Sequence, residues 1–261
     1  LGRACLLAAV ALTAGCSVLR PTPTPMPVAL SSGGAQDASV DAWFEGEGGA
    51  CLLVMLPGIG NSANAFVESG FLEDEGEGPC DLAIVDAHFA YYLTESLVER
   101  LTTDVLEEAE ARGYASVWLV GVSLGGYGAL LAAEAHPELV DGLVLIAPML
   151  GVPPREPIVV EEIAAAGGLH RWPGPDPRAR PRHLFAATRR VWGWLREATQ
   201  SPSWDGRLVL AWGDADRRAD RYAMVAEVLP PHAVHRAPGA HDWSTWRRLW
   251  RLVLADPPWV E

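Results

Sequence analysis

Three residues, far apart in the chain, have the types and settings that nucleophilic chemistry needs. Ser123 stands in "GVSLG", residues 121–125, between an apolar run and a stretch of small residues. Asp216 follows the apolar run "RLVLAWG" at 207–213, and His241 stands in "APGAHDW" after the last such run. A serine hydroxyl is a weak nucleophile alone; it needs a base to take its proton and an acid to orient that base. Asp214 competes with Asp216 for the acid's part, and Asp220 is a more distant candidate. Of the seven histidines, His241 combines a loop after a strand with a position after the acid. His235 falls within the final strand and His136 ends a helix; His88, just past an apolar run, reads as a solvated loop residue.

These residues must be positioned by the elements around them. In a chain with 26 glycines, Gly-x-Ser-x-Gly alone means little. Its setting is more specific: a strand runs into the serine and a small-residue helix leaves it, a turn that strains the backbone and needs glycine at its flanks. The apolar runs "CLLVML" (51–56), "DLAIVDA" (81–87), "SVWLVGV" (116–122), "GLVLIAP" (142–148), "RLVLAWG" (207–213) and "AVHRAP" (233–238) read as strands, with "SVDAWF" (39–44) as a short first one. Near-continuous apolar strands separated by helices predict an α/β fold, a mostly parallel sheet of about seven strands covered by helices on both faces. "TESLVERLTTDVLEEAEARG" predicts one helix, with Thr94 as its N-cap and Gly113 as its stop. Residues 149–206 interrupt the alternation with a small helical insertion, in which "HLFAATRRVWGWLREATQ" reads as a helix. Its four tryptophans, Trp172, Trp192, Trp194 and Trp204, serve packing or a lid over an apolar group.

The order Ser, Asp, His, together with "LPGIGNSANAF" after the run at 51–56 and "GAHDW" near the C-terminus, resembles the α/β-hydrolase superfamily, in its serine esterase and lipase branch. The resemblance covers the chain from about residue 39 to its end. It implies a carboxylic ester hydrolase working through Ser123, His241 and Asp216 and an acyl-enzyme, with neither cofactor nor metal. It also implies an oxyanion hole from the backbone N–H groups of Ile59 and Leu124. The sequence departs from the family at Pro57-Gly58, where His-Gly is common. A serine at the nucleophile position argues against the dehalogenase and epoxide-hydrolase branches, which use aspartate. Transfer of the acyl group to an alcohol uses the same residues, and a non-catalytic binding module on the same fold is the alternative from another class.

The composition sets further bounds. A chain of 261 residues, 49% hydrophobic, suffices for one sizeable core. A net charge of −13 repels phosphate backbones and excludes nucleic acid as a partner. The acidic stretch "ESGFLEDEGEGPCD" (68–81) reads as a solvated loop. Residues 1–16, with Arg3, an apolar stretch and "LTAGC", resemble a bacterial lipoprotein signal in which Cys16 receives the lipid. Residues 17–38, rich in Pro, Ser and Gly, then read as a linker, and 39–261 as the hydrolase domain. The expected place is the cell envelope, on a lipid anchor, acting on a small acyl substrate. Cys51 opens one apolar run and Cys80 immediately precedes another; if these are neighbouring strands, a disulfide is geometrically plausible in an exported protein. The sequence carries no signal for an oligomeric state.

Overall fold

The computed structural model describes residues 20–31, 48–75, 78–152, 155–175 and 187–260. Its centre is a seven-stranded sheet: β1 (Val28–Ser31), β2 (Cys51–Leu56), β3 (Cys80–Val85), β4 (Val117–Val122), β5 (Gly142–Ile146), β6 (Leu208–Gly213) and β7 (Val234–Ala237), in the spatial order β1-β3-β2-β4-β5-β6-β7. β2 to β7 are parallel, and β1 alone runs antiparallel, along β3. Every residue of β2, β4, β5 and β6 is buried. Successive side chains of a strand point to opposite faces, so complete burial means that both faces are covered, as the continuous apolar runs require. Cys51 and Cys80 are register partners at the start of β2 and β3, and they form a disulfide with Cα atoms 4.7 Å apart.

The helices are α1 (Asn64–Glu68), α2 (Phe71–Glu75), α3 (Phe89–Leu93), α4 (Leu97–Leu101), α5 (Glu107–Arg112), α6 (Leu124–Ala135), α7 (Arg155–Ala165), α8 (Thr188–Ala198), α9 (Ala219–Ala226) and α10 (Trp243–Ala255). α4 runs into α5 through a π-helical turn, Thr102–Leu106, and Gly113 ends α5 at φ 80°, left-handed. Thr94 differs from the expectation: it closes α3, its Oγ1 donating to the Ala90 carbonyl at 3.0 Å, and Ser96 precedes α4. A tight turn with Glu95 at φ 59° separates the two helices. α6 lies unusually close to the sheet: a Cβ on Gly125 would stand 2.0 Å from the Leu56 carbonyl oxygen, and one on Gly121 2.5 Å from Gly126 Cα. Only glycine fits there.

The chain before β2 departs from the sequence reading. The stretch 17–38, expected as a linker, contains β1, and Met26, Val28 and Leu30 are buried in the core. The proline-rich spacing hid an edge strand, a place where proline is tolerated because one side of the backbone needs no partner. The expected strand at 39–44 lies outside the described residues. The acidic stretch is also more ordered than expected: it contains α2, whose Phe71 is fully buried, and its Asp74 pairs with Arg247 and Arg251 of α10. In the insertion, Trp172 and Trp192 are buried, while Trp194 and Trp204 pack edge to face with centroids 4.9 Å apart. α7 is tied to α9 by a Glu156–Arg221 ion pair at 3.1 Å, and α8 to α6 by Arg190 and Glu134. No described helix is long and apolar enough to cross a membrane.

Candidate active site

β4 ends at Val122, and the chain turns at once into α6 with Ser123 at φ 52°, ψ −112°. A non-glycine residue with positive φ costs energy, and it persists only where the surroundings over-determine it. Here they do: Ser123 N–H donates to the Ile146 carbonyl at 3.0 Å, and Ser123 O accepts from Gly126 N at 3.1 Å and Met149 N at 2.8 Å. The turn sets the hydroxyl at the carboxyl edge of the sheet, where open α/β sheets bind ligands.

β6 and β7 deliver the other two groups to the same edge. The loops that follow them are laced together, Asp214 N to the Ala237 carbonyl and Ala215 N to the Gly239 carbonyl, both at 2.9 Å. His241 Nε2 stands 3.0 Å from Ser123 Oγ, and His241 Nδ1 stands 2.6 Å from Asp216 Oδ2. Asp242 caps α10 by accepting the Thr245 N–H at 2.9 Å, which fixes the chain just after His241. The Trp246 ring meets the imidazole edge-on at 4.9 Å. Burial pushes the Asp216 carboxyl up, but the bond from His241 and the Arg218 N–H at 3.0 Å outweigh it and hold the group below the ordinary carboxylate range. Asp214 points elsewhere, into an ion pair with Arg236 at 2.6 Å, and Asp220 lies within α9. His88 is buried against Tyr91, with ring centroids 4.8 Å apart, His235 lies in β7, and His136 faces Glu138 at 3.2 Å.

The loop after β2 forms a β-turn. Asn61 N–H donates to the Gly58 carbonyl at 3.2 Å, and Gly60 takes φ 77°. The Gly58 oxygen faces across the turn, so the Ile59 N–H of the same trans peptide faces away from it. Leu124 is the first residue of α6, where a helix leaves its N–H free. Ile59 and Leu124 share the lining of a cavity of about 120 Å³ with Phe89, Tyr92, Tyr127, Met149 and Val152. The two tyrosine hydroxyls are occupied elsewhere, Tyr92 donating to the Leu124 carbonyl at 3.1 Å and Tyr127 bonded to Thr188, so the cavity wall is apolar. No insertion tryptophan lines it, whereas Met149 and Val152, at the start of the insertion, do.

The sequence reading did not name Asn61, Phe89, Tyr92, Tyr127, Met149 or Val152. A signal existed for Tyr127, three residues after Leu124 and thus on its helix face, and for "HFAYYL", which leaves β3 at the sheet's carboxyl edge. Among the described residues no group of three or more His, Cys, Asp or Glu side chains could hold a metal ion.

A mostly parallel sheet with a strained serine turn after β4 and a histidine after β7 fits the class shown by the family match, a serine α/β-hydrolase. Within that class the chain belongs to the Esterase family, described as "Putative esterase", whose model matches residues 31–252. Solved structures share the fold at low identity. S-formylglutathione hydrolase from Staphylococcus aureus aligns with a TM-score of 0.52 at 13% identity, over 81% of this chain and 82% of its own. A ferulic acid esterase gives 0.52 at 12%, over 88% and 96%, and Est1E from Butyrivibrio proteoclasticus 0.50 at 16%, over 87% and 90%. No curated protein is significantly similar in sequence.

Proposed function

We propose that the protein hydrolyses carboxylic esters of short acyl groups through an acyl-enzyme on Ser123. The observation that carries this is the hydrogen-bonded line from Asp216 through His241 to Ser123 on the carboxyl edge of the sheet. His241 takes the hydroxyl proton as Ser123 Oγ bonds to the acyl carbon, and Asp216 stabilises the imidazolium. The N–H groups of Ile59 and Leu124 receive the charge on the tetrahedral oxygen. Collapse of the intermediate breaks the ester C–O bond, and His241 returns its proton to the departing alcohol. Water then attacks with His241 again as base; the carboxylic acid leaves, and Ser123 regains its proton.

The cavity of about 120 Å³ takes the acyl chain. The N-terminal stretch ending in "LTAGC" supports the reading of an exported protein anchored by lipid on Cys16. The test is labelling with a fluorophosphonate and mapping of the modified peptide. Label on Ser123, lost in Ser123→Ala and His241→Ala variants that keep the wild-type circular dichroism, is expected. A folded wild type that takes no label would leave the fold as a binding module.

A further inference from the structure

Residues 20–31 do not lead away from the domain; they are strapped along its carboxyl edge. Arg20 pairs with Asp86, just beyond β3. Tyr91 donates its hydroxyl to the Pro23 carbonyl at 2.8 Å, and Met26 N–H donates to Asp104 Oδ2 at 2.8 Å, in the π-helical turn. β1 then descends antiparallel to β3, so the chain reaches the sheet at the end where the site lies. A groove of about 240 Å³ has Arg20, Pro27 and Asp86 in its lining together with Ser62, Ala63 and Asn64. Ser62 and Ala63 directly continue the turn that carries Ile59. The arriving chain and the mouth of the site therefore share one edge.

Exposed apolar side chains occur in the segments that border that edge. Of the six large apolar side chains exposed among the described residues, three lie here: Ile59 at 49%, Leu93 at 40% and Val67 at 38%. Leu93 follows Tyr92 on the short helix α3 that also supplies Phe89 to the acyl cavity, and Val67 lies on α1, just after the turn. Apolar side chains exposed in the segments that border a site fit a surface that is covered in use. The length of chain beyond Arg20 says what covers it. Cys16 is four residues away, a span of at most about 14 Å when fully extended.

We propose that the strap at residues 20–27 holds the mouth of the Ser123 site against the bilayer that carries Cys16, so that the enzyme takes its substrate from the lipid surface. This rests on the reading of Ser123 as an esterase nucleophile and of Cys16 as the lipid anchor. The small apolar cavity suits a short acyl group, so the substrate class is a short-chain ester of a membrane-dissolved alcohol. The alcohol stays in the bilayer while the acyl carbonyl reaches Ser123. With a net charge of −13 over its sequence the protein gains nothing from anionic lipid, so the contact is anchor plus apolar rim.

The experiment uses the full-length lipidated protein in phosphatidylcholine vesicles, with acylation of Cys16 first checked by mass spectrometry. Butyrate release is followed from hexadecyl butyrate dissolved in the bilayer and from soluble 4-nitrophenyl butyrate. A twenty-residue Gly/Ser insertion between Val18 and Leu19 lengthens the tether without touching the strap. With the local concentration falling roughly as the −3/2 power of tether length, bilayer turnover is expected to drop on the order of tenfold, with soluble turnover unchanged. The double variant Val67→Glu, Leu93→Glu is expected to show the same split. Equal bilayer rates in wild type and both variants would overturn the proposal and leave the esterase standing. A wild type that cleaves neither ester would instead overturn the esterase reading, and an unmodified Cys16 would overturn the anchor; each takes the proposal with it.

Discussion

Ser123 is held in a backbone conformation that most residues avoid, and the bonds that hold it come from β5 and the segment just after it, through Ile146 and Met149. Of the two acids left open in the sequence, Asp216 meets the imidazole while Asp214 faces Arg236. Asp216→Asn is expected to lower kcat about 10³- to 10⁴-fold by leaving the imidazole in the wrong tautomer, whereas Asp214→Asn leaves it near wild type; steady-state kinetics on a butyrate ester separates them. If the cavity beside Leu124 takes the acyl group as proposed, Val152→Phe, which fills it, is expected to cut kcat/KM for a butyrate ester roughly tenfold relative to an acetate ester. The serine, the acid loop and the histidine were legible because each follows directly on an apolar run, and chain order pairs them. The cavity was not. Its walls come from separate segments, and whether Phe89 or Val152 faces solvent or substrate depends on how those segments pack.

At the scale of elements, six strands could be read to within a residue or two, since buried parallel strands are short apolar runs with clear ends. β1 escaped because Pro23, Pro25 and Pro27 suggest a tether. Yet Met26, Val28 and Leu30 alternate, and that period of two was the available signal. Thr94 misled because Ser, Thr and turn residues suit the end of one helix as well as the start of the next. The Cys51–Cys80 bridge ties the starts of two neighbouring strands and closes a loop with a sequence separation of 29. Cross-linking a loop of that length is worth roughly 3–4 kcal/mol, mainly by restricting the unfolded chain. Urea unfolding of the Cys51→Ala, Cys80→Ala variant is expected to show a loss of that order with the α/β circular dichroism retained.

Over the whole molecule, the acidic surface is joined to the fold at specific points. Asp74 of α2 receives Arg247 and Arg251 of α10 and so clamps the segment between β2 and β3 to the last helix. Burial pushes its carboxyl up, but the two guanidiniums prevail and hold it below the ordinary carboxylate range. A carboxyl with a depressed folded value contributes stability above its unfolded value, near 3.8, and loses it as pH falls through the folded value. The difference in unfolding free energy between wild type and Asp74→Asn is therefore expected to be constant from pH 6 to 8 and to shrink below about pH 4, as followed by denaturant titration. Handling of the chain is affected in another way by β1. A protein begun at residue 39, where the sequence alone would cut, lacks the strand that covers β3. β3 is apolar and flanked by buried partners, so its bared ladder of N–H and C=O groups becomes a template for a second molecule. Such a shortened chain would be lost to aggregation, and its silence in an assay would say nothing about Ser123.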